Sequence, residues 1–544
     1  MELSFHLNRG TANSEFDFLQ ERPRLLKITV VLIFSLALIV RIYAVFGLGA
    51  QGLIAERQFR SAIIARAYYF RTTNDIPDWR KHVAFTSQER AGVLEPPIFE
   101  LMVGSIYRIL NREDIAIARL LSSLFWVVGG IFLYKIAKEI MAVEAALVAA
   151  AFYLFIPLGV NASISFLPEP LMMMMFLFSI FTLVRYIEKP SRSGLVFAAI
   201  VSGLAMLVKP FIIFAILGAF FSLMLYKKYA FKSTIYFDIL IFLGISLTIS
   251  SLYYLYAVFI AKSMSSNFQT SFLPYLYFQP DFWKRWFLTA IDAVGFMPVA
   301  AALLGLAILR DGWARALVIG LGIGYIGFGL VYTYPIGISS HYHLQLIVIV
   351  ALSLGPMVSL FTHYFEKLPT YWYGWLSVAG VILLVGLFSI RSIRGELASP
   401  RQIESKEIAE DIGKIVDHSD QVLYVATYYG LPLQYYAELS GTYWPRRFVN
   451  WDWVKDRYHG TVNQTETQGL QKITNWIFRQ TDGRELSIAE RFAVLDMSPE
   501  YFIITDFEDF NRNHRDLKEF LESSCTLVAI SDQYLIYDVR VCAK

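Results

Sequence analysis

Ile28-Thr-Val-Val-Leu-Ile-Phe-Ser-Leu-Ala-Leu-Ile-Val-Arg-Ile-Tyr-Ala-Val-Phe-Gly47 decides the fold class. A helix of about 20 apolar residues, at ~1.5 Å each, crosses the hydrocarbon core of a bilayer. This block follows a charged tail rather than the short basic region of a signal peptide, and no small-residue cleavage site closes it. It reads as a retained first span. Further apolar blocks fall near 117–138, 145–163, 169–187, 194–208, 210–226, 235–261, 287–309, 314–335, 341–360 and 372–393. The expectation is a polytopic α-helical membrane protein of about eleven spans. Composition agrees, because 56% of the 544 residues are hydrophobic and only 17% charged, against about 45–50% and about 25% in an ordinary soluble domain. Two cysteines exclude a disulfide scaffold, and a net charge of +3 gives no reason to expect nucleic acid as a partner.

Lysine and arginine in the short loops set the orientation. Arg22, Arg24 and Lys27, Lys135 and Lys138, Arg185, Lys189 and Arg192, Lys227, Lys228 and Lys232, Arg310 and Arg315, and Lys367 all fall on one side. That side is the cytoplasm, and the N-terminus lies in it. Residues 1–27 are then a cytoplasmic tail. Residues 28–393 form the transmembrane domain, including an extracytoplasmic loop over 48–116, and 394–544 form an extracytoplasmic soluble domain. Within the loop, Ile98 to Leu110 is apolar but too short to span and contains Glu100 and Arg108. It reads as an interfacial helix.

The C-terminal segment returns to soluble composition. Gln421-Val-Leu-Tyr-Val-Ala and Tyr501-Phe-Ile-Ile-Thr-Asp have the pattern of buried strands, with helical stretches at 401–416 and 467–480, so a small α/β domain is expected. Cys525–Ile530 and Tyr534–Cys542 read as a hairpin that puts its two cysteines nearly opposite each other. A disulfide and a pair of buried thiols both fit this placement. Asp506-Phe-Glu-Asp reads as a strand-end loop.

Under this topology the unusual polar residues gather at the extracytoplasmic face. Glu56 follows the first span, and Arg57, Arg60 and Arg66 recur beside it at helical spacing. Glu95 precedes two prolines, Glu169 opens the fourth span between prolines, and Lys209 precedes Pro210 between the fifth and sixth. Asp292 lies in the eighth span, and His341, Tyr342 and His343 open the tenth. Ionisable groups at membrane depth are expensive and usually face a polar cavity or a partner. Each also has an ordinary reading. Glu169 fits a helix N-terminus favoured by the dipole, Lys209 and Arg41 fit snorkelling side chains, the histidines fit an aromatic belt, and Asp292 fits a structural carboxylate. The loop arginines suit an anionic lipid headgroup, and they equally suit a solvated, self-paired helix.

The order of these motifs resembles the GT-C type membrane glycosyltransferases. The likeness is to the polyprenyl-phosphate-sugar-dependent branch, with the protein O-mannosyltransferases and the lipid A aminoarabinose transferases. It is carried by Glu56 with Ala65-Arg66, by Glu95-Pro-Pro-Ile, by Ala118-Arg119-Leu-Leu-Ser-Ser, and by Pro168-Glu169-Pro170. The glycine-containing span ending at Lys209-Pro210 and the His341-Tyr342-His343 start complete it. The chain has Ala55-Glu56 where that family usually has an Asp-Glu pair, and it lacks the Trp-Trp-Asp motif of oligosaccharyltransferases.

The resemblance implies a sugar donor linked through phosphate to a long isoprenoid, delivered from the outer leaflet, and an acceptor that is a lipid, glycan or protein; a bacterial inner membrane is the expected location, with the endoplasmic reticulum as the alternative. It implies that Glu56 takes the acceptor's proton, with Glu169 and Glu95 as rivals. Arg57, Arg60, Lys209, His341 and His343 would meet the leaving phosphate, and Asp292 is a further candidate. No cofactor is required on this reading, although the acids and histidines include groups able to bind a divalent metal. Two other classes fit the same chain, a transporter of lipid-linked or small solutes and a non-catalytic subunit of an envelope assembly. The absence of a clear internal repeat and the one-sided polar residues argue against the transporter.

Overall fold

The computed structural model describes Leu19 and residues 22–47, 54–92, 95–260, 271–309, 312–366, 406–444, 487–495 and 497–543. Packing divides the chain into two compact units, one of Met1–Leu53 with Ala116–Ser399 and one of Ile54–Ile115 with Pro400–Lys544.

The first unit is helical. Among the described residues, seven helices are long and apolar enough to cross a membrane, or up to nine if each of two bent pairs is one span. Arg192–Val208, expected as a span, is an apolar helix of 17 residues. The expected span at 372–393 lies outside the described residues.

Both bends have local causes. Val143–Phe155 and Pro157–Ser163 meet at 58°, because Pro157 has no N–H to give and its ring clashes with the preceding turn. Pro280–Val294 and Phe296–Ile308 meet at 93° across Gly295, whose φ of 85° few other residues tolerate. The expected span at 287–309 falls on this bent pair. Its first half belongs to an amphipathic helix that exposes Trp283, Phe287 and Leu288.

Ile213–Phe231 and Gly312–Val331 pack backbone to backbone. A Cβ on Gly320 would collide with the Gly218 carbonyl oxygen, and one on Gly324 would collide with that of Phe214. Small residues permit such close approach where no hydrophobic force draws helices together. Gly322, on the same helix, has nothing within 4 Å of a Cβ.

In the second unit, helix Ala55–Arg71 packs against Asp78–Ala91 and Ile98–Leu110. Ile98–Leu110 turns Phe99, Glu100, Val103 and Tyr107 inward and leaves Leu101, Met102, Ile109 and Leu110 exposed. Ser61 Oγ donates to Glu100 Oε1 at 2.7 Å across the pair.

This loop is stitched to the C-terminal segment. Arg66 donates to Glu113 Oε1 at 2.7 Å and to the Tyr435 carbonyl at 2.6 Å. Arg80 pairs with Glu438, and Ser87 Oγ donates to the Leu439 carbonyl at 3.1 Å. Burial alone would raise the Glu438 pKa, but the Arg80 hydrogen bond and the Arg66 charge outweigh it and hold that carboxyl below its ordinary value.

The C-terminal segment carries a five-stranded sheet of β1 (Val422–Val425), β2 (Gly441–Tyr443), β3 (Tyr501–Ile504), β4 (Thr526–Ile530) and β5 (Leu535–Asp538). The order is β2-β1-β3-β5-β4, with β2, β1 and β3 parallel and β5 antiparallel to both β3 and β4. Leu423, Val425, Phe502 and Ile504 face one core and Val422, Tyr424 and Ile503 the other, as the two-residue period of a strand covered on both faces requires. The hairpin closes with a Cys525–Cys542 disulfide, Cα to Cα 5.4 Å. Of the helices expected here, Lys406–Ile415 is present, and 467–480 lies outside the described residues.

Gly320→Leu is expected to abolish the folded, monodisperse form of the purified protein in size-exclusion chromatography, while Gly322→Leu elutes as wild type. The depressed Glu438 carboxyl gives stability that is full above its ordinary pKa and is lost as pH falls through the lower folded value. Thermal unfolding is therefore expected to separate wild type from Glu438→Gln at neutral pH and to bring them together in acid.

Candidate active site

The residues singled out from the sequence fall into two clusters, one in each unit. In the second unit, helix Ala55–Arg71 presents Glu56, Arg57 and Arg60 in its first two turns. Residues three and four apart share a helix face, which puts Arg60 beside both Glu56 and Arg57. Arg57 Nη2 donates to Glu95 Oε1 at 2.9 Å and Oε2 at 3.2 Å. Arg60 Nε is buried with no hydrogen-bond partner among the described residues. Burial lowers the Arg60 pKa, the neighbouring Arg57 charge lowers it further, and Glu95 and Glu56 oppose them only in part. Two guanidinium groups thus lie close together, and an added anion would relieve their repulsion.

Arg66, two turns on, serves a different purpose. Burial alone would lower its pKa, but Glu113, Tyr435 and Glu438 override that and raise it. Held by Glu113 within the loop, Arg66 ties the loop to helix Leu431–Ala437 through the Tyr435 carbonyl. Glu113 was not singled out from the sequence. The only signal for it was the charged run Arg112-Glu-Asp after an apolar helix.

In the helical unit, Lys209 Nζ donates to Glu169 Oε1 at 2.6 Å, and both side chains are 1% exposed. Glu169 opens helix Glu169–Glu188, and Lys209 stands in extended conformation between Arg192–Val208 and the turn Pro210–Ile212. Proline after Lys209 disfavours helical backbone there, so the chain breaks at that residue. The pair ties this break to the start of another helix. Lys209 is therefore a buried partner of Glu169 rather than a snorkelling side chain.

The two histidines differ. His341 is 5% exposed and its Nδ1 lies 2.5 Å from Ser339 Oγ. His343 is fully buried, with Nε2 2.9 Å from the Ile336 carbonyl and Nδ1 2.7 Å from Tyr325 Oη. A carbonyl only accepts, so Nε2 carries the proton and Nδ1 accepts from the tyrosine. Tyr325 in turn accepts from Trp286 Nε1 at 2.9 Å. Both ring nitrogens of His343 are thereby engaged, one by the Ile336 carbonyl and one by Tyr325. This corrects its expected place among the phosphate ligands.

Two further expectations change. Asp292 is exposed on the amphipathic helix Pro280–Val294, ahead of the 93° bend. Arg41 is fully buried, and it donates to Ser163 Oγ at 2.7 Å, the Ala37 carbonyl at 2.9 Å and the Leu154 carbonyl at 2.9 Å. It does not snorkel. Asp506 caps helix Phe507–Asn513 by accepting from Asp509 N, as a strand-end loop would. Among the described residues, no group of three or more His, Cys, Asp and Glu could hold a metal ion.

Two kinds of likeness bear on this geometry. A family model described as dolichyl-phosphate-mannose-protein mannosyltransferase matches residues 94–254. The solved structure of ArnT from Cupriavidus metallidurans bound to undecaprenyl phosphate is similar at 14% identity and a TM-score of 0.56, over 95% of this chain and 99% of that one. The apo form of the same protein is similar at 15% identity and a TM-score of 0.56, over 95% and 98%. No curated protein matches the sequence. The chain has the GT-C fold.

Removing one member of a buried ion pair leaves an uncompensated charge and costs about 3–5 kcal/mol, whereas a neutral replacement of both is far milder. Lys209→Met is therefore expected to lower the melting temperature sharply. The double variant Lys209→Met with Glu169→Gln is expected to recover most of that loss.

Proposed function

We propose that this membrane protein is a glycosyltransferase that moves a sugar from a polyprenyl-phosphate donor to an acceptor hydroxyl, at the extracytoplasmic face and with inversion. The observation that carries the reading is the cluster of Glu56, Arg57, Arg60 and Glu95, in which the Glu56 carboxylate lies beside two adjacent guanidiniums. The family match and the undecaprenyl phosphate bound by ArnT support the donor class.

The chemistry follows from the leaving group. Glu56 accepts the proton of the acceptor hydroxyl as its oxygen attacks the anomeric carbon. The bond from that carbon to the phosphate oxygen breaks, and its electron pair leaves with polyprenyl phosphate. A single displacement inverts the anomeric centre. The departing phosphate gains charge, and Arg60 with Arg57 meets it through paired hydrogen bonds. Glu95 holds Arg57 in place. Glu169 and Lys209 shape the helical unit through their mutual bond. No divalent metal is needed for these steps.

The location follows the same reading. The chain sits in a bacterial inner membrane with residues 1–27 in the cytoplasm. The loop and the C-terminal domain lie outside, where an oxidising compartment suits the Cys525–Cys542 bridge. The acceptor is a lipid, a glycan or a protein.

The test is steady-state turnover of a polyprenyl-phosphate sugar by variants that keep the wild-type fold. Glu56→Gln is expected to cut kcat by about 10²–10⁴-fold. Arg60→Ala is expected to cut it by about 10²–10³-fold. Wild-type turnover by Glu56→Gln with loss in Glu95→Gln or Glu169→Gln would move the base to that residue. Wild-type turnover by all three would overturn the mechanism.

A further inference from the structure

Two contacts fix the level at which helix Pro280–Val294 sits in the helical unit. Thr289 Oγ1 donates to the Gly337 carbonyl at 3.3 Å. Farther along the chain, a Cβ on Gly305 would collide with the Ser353 carbonyl. The two stretches therefore run side by side in the same direction. Gly305 and Ser353 lie equally far along their helices from Phe296 and Leu344, and each residue of a helix adds the same rise of ~1.5 Å. Phe296 is thus level with Leu344, at the end where the apolar span Ser340–Ser359 begins. That level marks the membrane surface. Phe296–Ile308 follows the span inward, and Pro280–Val294 meets it at 93°. The amphipathic helix therefore runs along the surface rather than through the bilayer.

Its residues divide as that position demands. Residues three and four apart share a helix face. Phe282, Trp286 and Ala293 are buried, and Trp286 Nε1 donates to Tyr325 Oη at 2.9 Å. This row holds the helix to the spans. Trp283, Phe287 and Ile291 form the next row, and the two aromatic side chains are exposed. Asp281, Arg285 and Asp292 lie on the far side, with Lys284 and Leu288 between the apolar and the charged rows.

Only one surrounding satisfies all of these rows. Water leaves Trp283, Phe287 and Leu288 unburied. The hydrocarbon core is costly for the charged row. At the interface, an amphipathic helix sinks its apolar face to the boundary between headgroups and acyl chains and keeps its charges in water. Tryptophan is enriched at that depth, and a lysine at the border reaches lipid phosphate with its stem along apolar surface.

We infer that Pro280–Val294 is a surface anchor whose partner is the phospholipid interface. Trp283, Phe287 and Ile291 enter the acyl boundary, Lys284 meets the lipid phosphates, and Asp281, Arg285 and Asp292 face water. This inference does not depend on the transferase reading.

The test places nitroxide labels on single cysteines of the full-length protein, reconstituted in liposomes of phosphatidylcholine and phosphatidylglycerol. The native cysteines are bridged to each other, so the label goes to the introduced thiol. Depth is read from relaxation by oxygen against relaxation by a nickel chelate. Labels at Trp283→Cys, Phe287→Cys and Ile291→Cys are expected at one common depth, about 5–10 Å below the lipid phosphates. A label at Asp292→Cys is expected in water. Depth that grows by about 6 Å from each of the three positions to the next is the mark of a crossing helix and overturns the inference. Three labels freely reached by the nickel chelate, or three reached by neither reagent as in a protein contact, overturn it as well. Lys284→Cys and Leu288→Cys, on the neighbouring row, replace any variant that does not elute as wild type, and they are expected at one depth nearer the phosphates.

Discussion

Backbone that leaves a helix inside a membrane finds no water, so its carbonyl groups must be satisfied by the protein itself. That constraint explains most of the buried polar residues in the helical unit. The break between Phe155 and Glu169 is held from three directions. Arg41 reaches the Leu154 carbonyl and Ser163, Trp126 donates to the Tyr153 carbonyl, and Ser122 and Ser123 donate to the carbonyls of Ser165 and Ser163. Arg41 is a full charge in the first span, and its burial is tolerable because its donors meet three oxygens. The second break, at Lys209, is held by Glu169, the first residue of the helix that the other break leads into. Broken helices and buried charges are thus one feature.

The second unit solves a different problem in water. A loop from between two spans gains little by burying apolar surface alone, since one of its helices keeps an apolar edge exposed. It is also fixed to the C-terminal segment by Arg66, which donates to the Tyr435 carbonyl, and by the pairing of Arg80 with Glu438, while Glu113 within the loop holds Arg66 in place. At an effective dielectric of about 20, two unit charges at ~4 Å interact by about 4 kcal/mol, so partly buried pairs matter here. With its far end anchored, helix Ala55–Arg71 presents Arg57 and Arg60 in its opening turns. Their spacing of three residues on one helix sets their mutual repulsion.

Much of this was legible in the sequence. Hydropathy located the spans because twenty apolar residues have few other uses, and the strands of the C-terminal sheet stood out as short β-branched and aromatic runs. The hairpin register brought Cys525 and Cys542 together as the pattern suggested. The site was less legible, because its residues are defined by partners distant in the chain. Arg41 looked like a snorkelling residue since Ser163 and Leu154 lie far along the sequence. His343 looked like a ligand because nothing local announces Tyr325 and Trp286. The bend beside Asp292 was missed for another reason. A hydropathy window averages across Gly295, and the 93° turn there separates an amphipathic helix from an apolar one. The union of the loop with the C-terminal segment depends on Glu113, Tyr435 and Glu438, and no spacing rule links them to Arg66 and Arg80.

The central claim is that the chain breaks the bond between sugar and phosphate rather than moving an intact lipid or holding an assembly together. The most direct measurement reconstitutes the wild-type protein in liposomes with polyprenyl-phosphate sugars and follows the lipid by mass spectrometry in the presence of membrane extract as acceptor. The account predicts time-dependent appearance of free polyprenyl phosphate, with the sugar recovered on an acceptor in inverted configuration. Movement of the intact donor between leaflets with no free polyprenyl phosphate would contradict it.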